Sequence, residues 1–295
     1  MISLPEQFTE IPESYKEQAE AKGKVEKLFY TCPHPKGGEQ EKYLFVYTPA
    51  GYDPEKEYEI LYMIHGGHEL QDKYMYLDGE DNVLKRIVDN LIEKGDIKPC
   101  VICMPSWYPL NTISDEIDSR LLTMEFHKEL SEVIMPMIET KYHTFAKTAD
   151  LEGFKASRNH RALIGWSMGS VTTWFTMMRR MDCFDRFGNM SADCFLVKPQ
   201  GCIDHAEETV AALVHMIKSQ GYGADDFTEM AVTGTNDGLR KGMEPMVEEL
   251  KKYPEVFRYE GEKPNARFYL WEGGEHHTPW RLLYTYNVIK TLLAK

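Results

Sequence analysis

Residues 161–181 read RALIGWSMGSVTTWFTMMRRM, and they are the strongest indication of the fold in the sequence. Residues 161–166 have the composition of a buried strand, and residues 168–181 follow a helical pattern. The connection, Gly165-Trp166-Ser167-Met168-Gly169, is a G-x-S-x-G sequence. Glycines on both sides of a serine leave room for a crowded backbone on a sharp strand-to-helix turn, where the hydroxyl projects beyond the sheet. The context predicts that Ser167 is a nucleophile, and the alternative is a serine that only caps the helix.

Apolar runs alternate with helical patterns on both sides of this stretch. The alternation predicts an α/β fold with a mostly parallel central sheet and helices on both faces. Two strand-like runs, KVEKLFYT and KYLFVYTP, flank the turn-rich CPHPKGGEQ and predict an N-terminal antiparallel hairpin. No repeat or linker divides the sequence, so we expect one domain over residues 1–295. Further strands are expected at 59–65, 100–105, 194–197, 227–234 and 266–271, and further helices at about 81–94, 120–142 (kinked by Pro136), 206–219, 238–252 and from 280 onward.

The charge and composition of the chain argue against nucleic acid and membranes as partners. The net charge of −13 opposes binding to a phosphate backbone or to an anionic membrane surface. No apolar run reaches about 18 residues, and the opening MISLPEQFTE lacks the basic and apolar regions of a signal peptide, so we expect no membrane span.

Six cysteines in a chain of this length do not indicate a disulfide framework. Cys100 and Cys103 lie in an apolar run, which favours buried core over a redox motif. Oligomeric state is not indicated.

A second glycine-rich segment, His65-Gly66-Gly67-His68, directly follows a predicted strand. A turn of this kind can present backbone amides to a developing oxyanion, with the amide after the nucleophile as the second donor. We therefore predict an oxyanion hole formed by Gly67 and Met168. A plain strand-to-loop turn is the alternative, and His65 is expected to form structural hydrogen bonds rather than to act as a base.

The segment Thr233-Gly234-Thr235-Asn236-Asp237-Gly238 ends a predicted strand and begins a helical pattern. It places the carboxylate of Asp237 on a loop at the carboxyl edge of the sheet, where the acid of a catalytic triad belongs. The alternative is a helix cap. Asp204, Asp225 and Asp226 are rival acids, but none lies as clearly between a strand and a helix.

The expected base lies between the last strand and the last helix, in the segment WEGGEHHTPW at 271–280. A histidine there can accept the serine proton at one nitrogen while an acid orients the other. Either His276 or His277 fits. Metal binding is a rival interpretation, but adjacent histidines do not share a face and no third ligand has a recognisable spacing, so no metal is expected. The order serine, acid, histidine along the chain is that of the α/β-hydrolases.

The chain resembles the esterases of the α/β-hydrolase fold, and most of all the feruloyl and acetyl xylan esterases of carbohydrate esterase family 1. The resemblance is carried by EKYLFVYTPAGYDPEKEYEILYMIHGG, NHRALIGWSMGS, GTNDGL and GGEHHTPWR. In similar feruloyl esterases a GTND-type loop supplies the acid and the histidine follows two glycines and one residue, which corresponds to Asp237 and His276, with His277 as the alternate base. The chain differs from the family at Ser170, where a glycine is common, and in a shorter gap from histidine to tryptophan.

The resemblance implies a secreted serine hydrolase that needs no cofactor and acts on ester-linked ferulate of plant arabinoxylan through an acyl-enzyme. A cytoplasmic location is the alternative. Trp107, Tyr108, Trp166 and Trp280 are expected to contact the substrate, since flat rings stack on cinnamoyl or sugar rings, although packing within loops is an equal alternative. Rival functions are an acetyl xylan esterase, a thioesterase similar to S-formylglutathione hydrolase, an acyltransferase and a non-catalytic carbohydrate-binding relative. The complete set of serine, aspartate and histidine argues against the last of these.

Overall fold

A computed structural model describes residues 2–75 and 82–295. Within these residues the centre of the molecule is an eight-stranded sheet with the strand order β1-β2-β4-β3-β5-β6-β7-β8. β2 pairs antiparallel with β1 and β4, and all other neighbours are parallel. The predicted α/β class, mostly parallel sheet and N-terminal hairpin are therefore confirmed. The strands are β1 (Lys24–Pro33), β2 (Glu39–Thr48), β3 (Glu59–Ile64), β4 (Cys100–Met104), β5 (Arg161–Trp166), β6 (Arg186–Met190), β7 (Thr228–Gly234) and β8 (Ala266–Trp271).

Helices cover both faces of this sheet, and each face has its own apolar layer. One layer contains side chains of α3, α6 and α7, and the other contains side chains of α2 and α9. None of the helices in the described part of the chain is long and apolar enough to cross a membrane. The helices are α1 (Glu13–Lys16), α2 (Val83–Glu93), α3 (Ser119–Glu129), α4 (Met135–Lys141), α5 (Leu151–Ala156), α6 (Met168–Arg180), α7 (Cys202–Ser219), α8 (Arg240–Leu250) and α9 (Thr278–Leu292). Asp81, the expected start of the helix at about 81–94, lies outside the described residues.

The cysteines are buried thiols. All six are free and buried. Cys100 and Cys103 belong to the two different apolar layers, as the alternation of side chains along a strand requires. Burial raises the pKa of Cys100 to about 12, so its thiol stays protonated and unreactive at neutral pH. The interpretation of this segment as buried core rather than as a redox motif is confirmed.

One predicted strand is wrong. The strand expected at 194–197 is instead β6, Arg186–Met190, and residues 194–197 lie in the irregular segment that follows it. The sequence of β6, RFGNM, contains an arginine, a glycine and an asparagine, which do not suggest a buried strand. Arg186 is tolerated there because its guanidinium contacts Glu59 at 2.5 Å and the Leu292 carbonyl at 2.9 Å.

The long helix expected at 120–142 is interrupted. α3 passes into a π-helical segment, Leu130–Ile134, before α4 begins, and Pro136 is the second residue of α4. Proline has no amide hydrogen and its ring clashes with the preceding turn, so the backbone must widen there. The predicted distortion at Pro136 therefore takes the form of a π segment.

Glu229 is a buried carboxyl group on β7, which lies between β6 and β8 in the sheet. Its Oε1 accepts a hydrogen bond from Asn189 Nδ2 at 3.0 Å, while its Oε2 has no partner and the residue is 0% exposed. Burial raises the pKa of Glu229 to about 8, against which the bond from Asn189 is a smaller effect. The side chain is consequently protonated near neutral pH.

Glu229→Gln should make the protein more stable at alkaline pH. The folded-state pKa of about 8 lies above the unfolded value of about 4.3, so the stability due to the neutral form is complete below pH 4 and is lost as the pH rises through 8. The glutamine keeps the acceptor for Asn189 but cannot ionise. In urea unfolding, we expect the two proteins to be similar at pH 4 and the variant to be more stable by up to about 5 kcal/mol at pH 8.5. A constant difference at all pH values would contradict this account.

Candidate active site

Ser167 lies on a strained turn between β5 and α6. Its backbone has φ 55° and ψ −119°, a conformation that costs energy in a residue with a Cβ and that clusters at functional sites. A Cβ on Gly165 would lie 2.1 Å from the Gly169 carbonyl oxygen, and one on Gly169 would lie 2.1 Å from the Ile64 carbonyl oxygen. Both glycines are therefore sterically required, and the hydroxyl is presented at the carboxyl edge of the sheet.

The structure brings Ser167, His276 and Asp237 into one hydrogen-bonded chain. Ser167 Oγ lies 3.0 Å from His276 Nε2, and His276 Nδ1 lies 2.9 Å from Asp237 Oδ2. His276 is on the loop between β8 and α9, and Asp237 is on the loop between β7 and α8. The imidazole can thus take a proton from the hydroxyl at one nitrogen while the carboxylate holds the other.

The carboxyl group of Asp237 is buried, with the residue 3% exposed. Burial alone would raise its pKa, but the hydrogen bond and charge of His276 and the amide of Leu239, which donates to Oδ1 at 2.9 Å, together lower it below the usual value. Asp237 is consequently an anion at neutral pH and can stabilise an imidazolium. The rival acids lie elsewhere, where Asp204 pairs with Lys198, Asp225 pairs with Arg258, and Asp226 accepts from the Gly223 amide.

The two adjacent histidines face different partners. His277 Nε2 lies 2.9 Å from Glu275 Oε2, whereas the ring of His276 stacks on Trp166 with centroids 4.7 Å apart. Trp166 is 5% exposed, so its face is used to support the imidazole. Trp166 is therefore not the direct substrate contact that the sequence predicted, but a buried ring that supports the imidazole of His276. Of the two candidates for the base, the structure places His276 next to Ser167.

The Gly66-Gly67 turn lies directly against the elbow. A Cβ on Gly66 would be 3.3 Å from Ser167 Cβ, and one on Gly67 would be 3.1 Å from Met168 Cγ. Met168 is the first residue of α6, so its amide has no acceptor within the helix. The turn that carries the Gly67 amide therefore lies beside the elbow that carries the Met168 amide, and the proposed pair of oxyanion donors belongs to adjoining segments.

His65 and the two aromatic residues after β4 form the support beneath this turn. His65 contacts the Gly66 carbonyl at 2.7 Å and Ser106 Oγ at 2.8 Å, and burial lowers its pKa to about 3. Its imidazole is neutral and structural. Trp107 and Tyr108, each 2% exposed, stack on each other and on His65. The expectation that they contact substrate is corrected, since both rings are almost wholly buried.

The remaining predicted aromatic residue, Trp280, is half-buried at the start of α9. In residues 2–75 and 82–295, no group of three or more histidine, cysteine, aspartate or glutamate side chains could hold a metal ion. Sequence reasoning missed Glu69, whose Oε1 accepts a hydrogen bond from the Gly66 amide at 2.9 Å. Its only sequence signal was a position three residues after that glycine.

Comparisons with known proteins show similarity to esterases of this fold. No family model matches the chain. The feruloyl esterase module from Clostridium thermocellum, solved in complex with sinapinate, is 27% identical and superimposes with a TM-score of 0.84 over 99% of this chain and 95% of that one. The chain has the α/β-hydrolase fold and is similar to feruloyl esterases of carbohydrate esterase family 1. A family 1 ferulic acid esterase from Anaeromyces mucronatus shares the fold at 22% identity, with a TM-score of 0.69 over 97% of each chain.

A relative in sequence extends well beyond this α/β-hydrolase. Endo-1,4-beta-xylanase Y of Acetivibrio thermocellus is 28% identical over 263 residues, which are 89% of this chain but 22% of that protein. The chain thus spans about a fifth of the length of this relative. The family resemblance inferred from the motifs is confirmed.

Proposed function

We propose that this chain is a serine carboxylic-ester hydrolase that releases ferulate and related hydroxycinnamates from plant cell-wall arabinoxylan. The observation that carries the proposal is the hydrogen-bonded chain of Ser167, His276 and Asp237 on a strained elbow beside a glycine turn. The likeness to a feruloyl esterase module that binds sinapinate, itself a hydroxycinnamate, supports the acyl group.

The first half of the reaction forms an acyl-enzyme. His276 Nε2 takes the proton of Ser167 as Oγ attacks the ester carbonyl carbon, and the negative charge of Asp237 stabilises the imidazolium. The carbonyl oxygen becomes an oxyanion that accepts hydrogen bonds from the amides of Gly67 and Met168. The tetrahedral intermediate then collapses, and His276 gives its proton to the departing sugar alcohol.

The second half returns the enzyme to its starting state. Water occupies the place of the alcohol, His276 removes a proton from it, and the resulting hydroxyl attacks the acyl carbon through a second tetrahedral intermediate. Ser167 leaves with the proton from His276, and the carboxylic acid is released. All the groups used are side chains and amides of this chain, and no cofactor is assigned a step.

A substrate comparison tests the acyl group. Methyl ferulate, an aryl acetate and S-formylglutathione should be assayed side by side, and kcat/KM should be at least about tenfold higher for the ferulate, because the remaining alternatives differ in acyl pocket and leaving group. Preference for the acetate would indicate an acetyl xylan esterase, and preference for the thioester a thioesterase. Transfer of ferulate to an added sugar instead of to water would indicate an acyltransferase. No turnover of any of the three would contradict a catalytic role.

We infer a secreted enzyme from this substrate, because cell-wall arabinoxylan is a polymer outside the cell. Fractionating the native host into medium and cells, with an antibody against this chain, tests the location. Recovery in the cells alone would contradict secretion.

Half-buried Trp280 is the remaining aromatic residue from the sequence prediction that could contact the substrate. It lies four residues after His276.

A further inference from the structure

The turn that carries Gly67 is held by a carboxylate. Glu69 Oε1 accepts a hydrogen bond from the Gly66 amide at 2.9 Å. A Cβ on Gly66 would lie 2.9 Å from that oxygen, 3.0 Å from Trp166 Cδ1 and 3.3 Å from Ser167 Cβ. The Gly66 backbone is thus enclosed between Glu69 and the nucleophile elbow.

Two consecutive glycines make such a restraint necessary. Glycine has access to more backbone conformations than any other residue, so a Gly-Gly segment does not fix the direction of its own amides. A hydrogen bond to a charged acceptor is stronger than one between neutral groups. Glu69 is therefore suited to fixing the orientation of the His65–Gly66 peptide, which comes directly before the peptide that carries the Gly67 amide.

Glu69 is itself fixed from α9. Arg281 Nη1 contacts Glu69 Oε2 at 2.5 Å, and Arg281 Nη2 donates to the Lys73 carbonyl at 3.2 Å. The side chains of the pair are only 10% and 18% exposed, and the guanidinium lies 5.3 Å from the centre of the Tyr74 ring. Either charge would be costly to leave alone at this depth, so each holds the other in place.

The same group of residues reaches the start of the turn. Tyr74 Oη donates to the carbonyl of Ile64, the last residue of β3, at 2.9 Å. Contacts from Tyr74 and Glu69 therefore hold the backbone on both sides of His65. Since Arg281 lies on α9, directly after the loop that carries His276, the base and the glycine turn are attached to one helix.

We propose that Glu69, held by Arg281, is a positioning residue that keeps the Gly67 amide directed at the developing oxyanion. This inference rests on the proposed esterase function. Glu69 does not touch the reacting atoms. Its effect is on the fraction of molecules in which both oxyanion donors are in place, and it should therefore appear in the stabilisation of the tetrahedral intermediate more than in the binding of the ester.

Kinetics of Glu69→Ala and Glu69→Gln test the proposal. With methyl ferulate, Glu69→Ala should lower kcat about 10- to 100-fold, up to the loss seen when one oxyanion donor is removed, and should change KM by less than about threefold. Glu69→Gln retains an oxygen acceptor for the Gly66 amide and should stay within about fivefold of wild type. Glu152→Ala, which removes a carboxylate from an exposed pair with Lys155 on α5, is the matched control and should behave as wild type.

Inhibitor binding separates positioning from general damage. An aryl boronic acid forms a tetrahedral adduct with a serine nucleophile and places an oxygen in the oxyanion hole, whereas ferulate binds only as product. Glu69→Ala should weaken the boronic acid by the same factor as kcat and leave ferulate affinity within about threefold. Equal loss for both ligands, or an unchanged kcat, would overturn the proposal.

A double-mutant cycle tests the role of Arg281. Arg281→Met should lower kcat about fivefold in the wild-type background and have no further effect in Glu69→Ala, because both changes release the same turn. Losses that multiply would show that Arg281 acts independently and would overturn that part. If Glu69→Ala does not fold, as judged by thermal unfolding, Glu69→Leu, which also removes the acceptor, takes its place in the cycle. Inactive wild-type protein would refute the proposed function, whereas active wild type with unaffected variants would refute this inference alone.

Discussion

Ser167→Ala should leave a folded protein in which turnover of methyl ferulate is at least about 10⁴-fold lower than in wild type. The hydroxyl is the group that forms the acyl-enzyme, so its removal leaves only binding and the oxyanion donors to assist attack by water. The elbow itself should persist, because its backbone contact, the Ser167 amide to the Met190 carbonyl at 2.8 Å, does not use the side chain.

Three measurements make this result specific. Thermal unfolding should show that Ser167→Ala is folded, and ferulate should still bind, since no product contact is assigned to the hydroxyl. Ser219→Ala, at the exposed end of α7, is the matched serine control and should keep the wild-type rate. An activated phosphonate ester should add one covalent group to wild type, detected by mass spectrometry, and none to Ser167→Ala. Wild-type turnover in Ser167→Ala would refute the nucleophile.

The elbow could be predicted from the sequence because its cause is local. A Cβ on Gly169 would clash with Ile64 of β3, but a Cβ on Gly165 would clash with Gly169 within the same elbow, so this part of the steric requirement involves residues that are close in the sequence. The same is true of Asp237, which follows its strand directly. Parallel strands bring their carboxyl ends to one edge, and the order of the three segments then predicts which side chains meet.

Contacts between distant residues left no such signal. Glu69 and Arg281 are 212 residues apart, and although Arg281 ends the GGEHHTPWR segment, no local pattern pairs it with Glu69. Arg186 made β6 look unlike a strand because its partner, Glu59, lies on another strand and was not visible in the local pattern. For Trp107 and Tyr108 the sequence leaves substrate contact and loop packing as equal alternatives, because a ring at a strand end has the same sequence pattern whether it packs inward or faces solvent.

The order of the two adjacent histidines is another point that only the structure addresses. Both follow two glycines, and a shift of one residue would exchange them. Their side chains are exposed to a comparable extent, 35% for His276 and 51% for His277, so exposure does not distinguish them. What distinguishes them is direction, since His276 packs on Trp166 between Ser167 and Asp237 while His277 pairs with Glu275.

His276→Ala should therefore lower kcat about 10⁴-fold or more, whereas His277→Ala should stay within about threefold of wild type. Without the imidazole no group takes the proton from Ser167, and Asp237 loses the partner that lowers its pKa. Kinetics with methyl ferulate across a range of pH give kcat for His276→Ala and for His277→Ala, and each variant serves as the control for the other. Truncation also removes the ring that stacks on Trp166, so added imidazole should restore part of the activity of His276→Ala and none of that of Ser167→Ala. The reverse pattern, with His277→Ala inactive and His276→Ala active, would assign the base to the other histidine and would require the loop after β8 to rearrange during the reaction.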